Sequence, residues 1–127
     1  MHCFEEGEAH EDRAAQRQHA SIMRRFYRVV EEHLDEPLYV PELCREVGAS
    51  ARTLTACCQE HLGMGPKRYL LLRRMQMVRR MLRQSVPGDL SVTEIAMRYG
   101  FWQLGRFAGE YRTLFGDLPS ATLARVE

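Results

Sequence analysis

"SVTEIAMRYGFWQLGRFAGEYRTLFGDLPS", residues 91–120, decides how this chain folds. Phe107, Tyr111 and Phe115 recur every four residues, the spacing that lines one face of a helix. A buried face accounts for these aromatics but not for Trp102, Gln103 and Arg106, which stand where that helix begins. Upstream, Ser91 or Val92 opens a shorter helix with Thr93 and Glu94 in its first turn, and Gly100 closes it, because a left-handed turn costs glycine little. The stretch therefore reads as two helices joined across a glycine turn.

The same pattern occurs earlier in the chain. Val40 matches Val92, Leu43 matches Ile95, Cys44 matches Ala96 and Gly48 matches Gly100 at an offset of 52. Past the turn the offset becomes 53, pairing Leu54 with Phe107, Cys58 with Tyr111, Leu62 with Phe115, Gly63 with Gly116 and Pro66 with Pro119. One residue has been added to the second turn. Cys44 and Ala96 are small, as a close helix crossing requires. Each half is a helix-turn-helix pattern, and two with matched apolar positions make a far more specific signal than one.

Working outward, Ile22, Phe26, Val30 and Leu34 predict a helix from Ser21 that Glu36-Pro37 breaks. Pro41 opens "PELCREV", Gly48 stops it, and Ser50 caps a helix from Ala51 to about His61. Pro66 begins a long helix to about Gln84, with Tyr69, Leu72, Met75, Val78 (or Met77) and Leu82 on its apolar side and paired arginines on its flanks. No run alternates as a strand does, so the class is all-α with about seven helices. The expected organisation is a flexible arm or linker remnant over 1–20, a first helix-turn-helix subdomain over 21–65, a linker helix over 66–86 and a second subdomain over 87–127.

Composition narrows the function. A length of 127 residues at 45% hydrophobic content suits one compact domain or two very small ones, with little room for an enzyme cleft. The opening "MHCFEEGEAHED" lacks the basic start and apolar run of a secretory signal, and no later run would span a bilayer, so a soluble cytoplasmic protein without membrane partners is expected. Cys3, Cys44, Cys57 and Cys58 have no metal-binding spacing, and the adjacent pair would point to different sides of a helix. They read as reduced, packed thiols. The five histidines show no catalytic spacing with acids, and no metal or cofactor is implied.

Net charge is +1, yet residues 1–36 hold nine acids against five bases, whereas 37–127 hold thirteen bases against eight acids. Between Pro66 and Gly88 lie seven Lys or Arg and no acid, which suits a solvated helix face or a phosphate-binding stripe.

In a DNA-binding helix-turn-helix the second helix enters the major groove with its first turns facing the bases. That explains the residues at the helix start. Base-reading candidates are Ala51, Arg52, Thr53, Thr55 and Ala56 in the first half, and Gln103, Leu104, Gly105, Arg106, Ala108 and Gly109 in the second. Arginine suits guanine, glutamine suits adenine, and small or apolar side chains suit the thymine methyl. Phosphate candidates are Ser50, Lys67, Arg68, Arg73, Arg74, Trp102 and Arg112. Trp102 equally suits sealing the turn against the core, Arg106 a phosphate, and Leu104 packing. The 19-residue linker helix would form a rod of roughly 28 Å, against about 34 Å between successive major-groove faces. The rival reading is a ligand- or thiol-sensing helical protein-interaction domain, drawn from the Met-rich linker helix and the cysteines.

From about Arg24 to Leu123 the chain resembles the AraC/XylS family of bacterial transcription regulators. The residues that carry this are "SVTEIAMRYGF" followed by Phe107, Tyr111, Phe115-Gly116 and Pro119-Ser120. "GFWQLGRFAGEYRTLFGDLPSATL" resembles the branch of the ethanolamine-operon activator. The resemblance implies a sequence-specific activator that binds double-stranded DNA through two recognition helices, works with RNA polymerase, and is nucleoid-associated when bound. Members of that branch usually carry a separate N-terminal effector-sensing domain, which is absent from this chain, so the resemblance implies either the DNA-binding portion of a larger regulator or a free-standing one. Two departures are the Cys57-Cys58 pair, where bulkier apolar residues are usual, and Gly105 and Gly109, which thin the second recognition helix.

Overall fold

The first helix starts well before its apolar stripe does. In this computed structural model, which describes residues 2–36 and 38–124 with side chains from Glu11 onward, α1 spans His2–Glu32 instead of opening at Ser21. The stretch expected to be a flexible arm is thus helical. Its Ala, Gln, Glu and Arg residues are good helix formers that need no apolar face to favour the conformation. Residues 11–18 are all exposed, which is why no stripe marks them. The helix ends at Glu32, and the breaker Pro37 lies outside the described residues.

The other helices are α2 (Val40–Val47), α3 (Ala51–Leu62), α4 (Pro66–Gln84), α5 (Val92–Arg98), α6 (Leu104–Phe115) and α7 (Pro119–Ala124). Helices α3 and α4 match the expected spans to within a residue; α2 begins at Val40, with Pro41 in its first turn where a missing N–H is harmless. Among the described residues there is no strand. Two compact units divide the chain, and the division runs through α4 between Tyr69 and Leu70 instead of flanking it. The second unit also takes in residues 33–36.

In the first unit, Ile22, Phe26 and Val30 of α1 are buried together with Leu43 and Val47 of α2 and Leu54, Cys57 and Cys58 of α3. Both adjacent cysteines face the core, because positions 54, 57 and 58 lie three and four apart on one helical face. Tyr69 closes this core with its ring 5.4 Å from that of Phe26. In the second unit Met75, Val78 and Leu82 of α4 meet Ile95, Ala96, Tyr99, Phe107 and Tyr111.

The two glycine turns share a left-handed glycine and one backbone bond, although Gly48 donates four residues back, to Cys44, and Gly100 only three, to Met97. Gly48 has φ 78° and Gly100 φ 87°, conformations an L side chain resists. Five residues beyond Cys44 and Ala96, the amides of Ala49 and Phe101 donate to those residues' carbonyls at 3.1 and 3.0 Å. Gly63 and Gly116 then end α3 and α6 in the left-handed conformation, each donating to the carbonyl four residues back.

Candidate nucleic-acid interface

Helix α3 is fixed at both ends by polar contacts. At its start the Thr53 amide donates to Ser50 Oγ at 3.1 Å, and the Ser50 hydroxyl donates to Thr53 Oγ1 at 3.0 Å. This cap makes Ser50 and half-buried Thr53 part of the framework and leaves Ala51, Arg52, Thr55 and Ala56 exposed. Near its end, the His19 ring lies 2.9 Å from Glu60 Oε2, joining α1 to α3. That hydrogen bond leads the causes that hold the Glu60 carboxyl below its ordinary range. The preceding helix is tied down as well: Arg25 Nε donates to the Val47 carbonyl at 2.8 Å and its Nη1 to Ser21 Oγ at 3.0 Å.

Helix α6 begins differently. Gln103 occupies the N-cap position but makes no side-chain cap bond. Phe101, with its ring centroid 5.0 Å from Phe107, seals the turn, so Trp102 does not: it is 65% exposed. Leu104, Gly105, Arg106 and Gly109 are exposed and Ala108 half-buried. Arg106 Nε donates to Glu110 Oε1 at 3.1 Å, an i,i+4 pair whose arginine is 74% exposed and therefore gives up little when it parts.

Acid is absent from the first turns of α3, α4 and α6, whereas the supporting helices α2 and α5 carry Glu42 and Glu94 there. Glu94 completes a reciprocal cap with Ser91, accepting from the Ser91 amide at 3.3 Å while its own amide donates to Ser91 Oγ at 3.0 Å. The positive ends of α3 and α6 consequently remain unneutralised by local carboxylates, as an approaching phosphate requires.

The structure separates the phosphate candidates. Lys67, Arg68 and Arg112 are exposed. Arg73 is half-buried and donates to Gln76, and half-buried Arg74 donates through Nη2 to the Glu36 carbonyl at 2.5 Å, so its guanidinium serves the packing of the second unit.

One constellation escaped sequence reading. Arg79 Nη1 pairs with Asp117 Oδ1 at 3.2 Å, and Arg79 Cζ lies 4.5 Å from the Phe115 ring centroid. The Thr122 hydroxyl donates to Asp117 Oδ2 at 2.8 Å, and Tyr111 Oη sits 2.7 Å from Thr122 Oγ1. This network ties α4, α6 and α7 together inside the second unit. In sequence, Arg79 looks like any other member of a basic run, and its partner is 38 residues away.

Cys57 and Cys58 are buried free thiols and Cys44 a half-buried one; the side chain of Cys3 lies outside the described residues. Burial, then the neighbouring Cys57 and Cys44, push Cys58 up to about 12; burial likewise raises Cys57 and Cys44. A thiolate at any of these three is disfavoured at neutral pH, which counts against a thiol-sensing role for them. Among the described residues no three His, Cys, Asp or Glu side chains group as a metal site, and no helix is long and apolar enough to cross a membrane.

Residues 43–125 match the pattern of the family described as "Helix-turn-helix domain". The chain belongs to this family. Its type is AraC: the solved structure from Chromobacterium violaceum described as a transcriptional regulator (AraC-type DNA-binding domain-containing proteins) aligns with a TM-score of 0.74 and 27% identity, over 81% of this chain and 89% of that one. Among curated relatives, "Probable thc operon regulatory protein" of Rhodococcus erythropolis is 44% identical over 105 residues, 83% of this chain and 32% of its own length. The "XylDLEGF operon transcriptional activator" of Pseudomonas putida is 38% identical over 99 residues, 78% of this chain and 31% of its own length. This helix-turn-helix chain thus spans about a third of the length of these relatives. Its family is one of transcription regulators, not enzymes.

Proposed function

We propose that this AraC-type chain is the DNA-binding portion of a transcription activator, placing the first turns of α3 and α6 in successive major-groove segments of one duplex. The observation that carries the reading is the repeated unit: in each half a buried face holds the helix while its opening residues stand exposed with no acid in the first turn. Base contacts fall to Ala51, Arg52, Thr55 and Ala56 on α3 and to Gln103, Leu104, Gly105, Arg106 and Gly109 on α6. Phosphate contacts fall to Lys67, Arg68 and Arg112. The names of the operon regulators support partnership with RNA polymerase, and the greater length of those relatives leaves room for an effector-sensing domain in a longer protein. The narrower placement beside the ethanolamine-operon activator rests on the wording of Gly100–Leu123 together with the Arg52-Thr53-Leu54 run of α3.

The test is selection of bound duplexes from a random pool, followed by binding across a salt series. A selected sequence should emerge, and affinity should fall steeply between 50 and 200 mM salt, by about 10³–10⁵ if six to ten phosphates are neutralised. Arg52→Ala should cost about 1–3 kcal/mol at one base position, whereas Lys67→Ala should weaken all sequences alike. No enriched sequence, or salt-insensitive affinity, refutes the proposal.

A further inference from the structure

The two reading helices present different chemistry, and we infer that α6 selects A·T steps bearing thymine methyls through Trp102, Gln103 and Leu104, while α3 selects guanine through Arg52; this rests on the DNA-binding reading above. Trp102 and Leu104 are 65% and 37% exposed, although their neighbours Phe101 and Phe107 pack on each other at 5.0 Å. Two large apolar side chains held outside a core that takes in the adjacent aromatics are surface for a partner with apolar groups of its own. In the major groove the apolar group is the thymine 5-methyl.

Between them stands Gln103, whose amide is not spent on capping α6 and carries the donor and acceptor that pair with adenine N6 and N7. The cation in the first turn, Arg106, is bonded to Glu110, so α6 offers a balanced pair there and not the lone guanidinium that α3 offers in Arg52, although the exposed pair parts at little cost. At Gly105 and Gly109 a Cβ would meet nothing within 4 Å, so the backbone itself is open to close approach, which a short reach such as that of Leu104 requires. Helix α3 is the converse. Its exposed opening residues are Ala51, Arg52, Thr55 and Ala56, in which a single unbalanced guanidinium stands among small side chains.

The experiment uses the whole chain and duplexes selected from a random pool. The α6 segment is the one whose adenine preference disappears in Gln103→Ala. Replacing thymine by uracil there deletes only the methyl, and affinity should fall about fourfold per contacted methyl, the equivalent of about 0.8 kcal/mol each. The same replacement elsewhere in the duplex should change little. The double variant Trp102→Ala, Leu104→Ala, which removes exposed side chains only, should retain its helical circular dichroism and bind thymine and uracil duplexes equally. A guanine-dominated α6 segment, an unchanged preference in Gln103→Ala, or wild-type indifference to uracil overturns the inference while leaving sequence-selective binding intact. A pool with no enriched sequence overturns the DNA-binding reading itself, and this inference with it.

Discussion

Asp117→Ala should be the most damaging single change in the second unit outside its apolar core. The carboxylate accepts from Arg79 at 3.2 Å and from Thr122 at 2.8 Å, and the two charged side chains are only 17% and 16% exposed. Removing it leaves a largely covered guanidinium above the Phe115 ring without its anion and leaves the Thr122 hydroxyl to Tyr111. Breaking one side of a buried pair costs about 3–5 kcal/mol, and residual exposure places this one near about 3 kcal/mol. Arg79→Met, Asp117→Ala should recover about 1–2 kcal/mol of that loss, because no charge is then stranded and the methionine keeps an apolar stem on Phe115. Urea unfolding followed by far-UV circular dichroism measures both; Trp102 fluorescence is a poor probe, since the indole is already exposed. If Asp117→Ala costs under about 1 kcal/mol, or the double variant is no more stable than the single one, the network does not hold α4 to α6 and α7 as argued.

Cys57 and Cys58 should resist a thiol reagent at pH 8 until the chain is unfolded, and stability should then decline as pH rises from about 9 towards about 12: the unfolded Cys58 thiol ionises first, so deprotonation favours the unfolded chain. Rapid labelling of both thiols in the folded chain, or stability that is flat across that window, contradicts their burial. The same substitution should have opposite signs at two glycines. A Cβ meets nothing within 4 Å at either Gly48 or Gly109, but Gly48 has φ 78° and Gly109 is mid-helix. Gly48→Ala should therefore destabilise by about 1–2 kcal/mol and Gly109→Ala stabilise by about 0.5–1 kcal/mol in thermal unfolding; like signs would show that something other than backbone conformation decides.

What could be read from sequence was whatever depends on neighbours in the chain. The α3 cap at Ser50, the α4 span from Pro66 to Gln84 and the glycine turns all rest on residues within one or two turns of each other. Helix α1 is legible only where it packs; residues 11–18 carry no stripe because they are exposed. Long-range partners were hidden. Arg79 and Arg74 sit in the same basic run as exposed Arg80 and Arg83, and only their contacts with Asp117 and Glu36 separate structural from free cations. Gln103 and Arg106 stand at an exposed helix start, as their position in the sequence implies, whereas whether Trp102 seals the turn depends on which of two adjacent aromatics faces inward.

That choice follows from where the second unit gained its residue. Helix α3 starts three positions after Gly48 and α6 starts four positions after Gly100, yet Leu54 and Phe107 are each the fourth residue of their helix. An insertion inside α6 would have rotated every later side chain by about 100° and carried Phe107 and Tyr111 off the core. Placed in the turn, it leaves the buried phase untouched and supplies one more position between the glycine and the helix. Phe101 takes the inward direction there, with its amide repeating the bond that Ala49 makes in the first unit. Trp102 is then the side chain with no counterpart obligation to the core. The turn is thus the place where a duplicated unit acquires a new exposed aromatic beside its reading helix at no cost in packing, and it is where the two halves of this chain differ most in what they offer a groove.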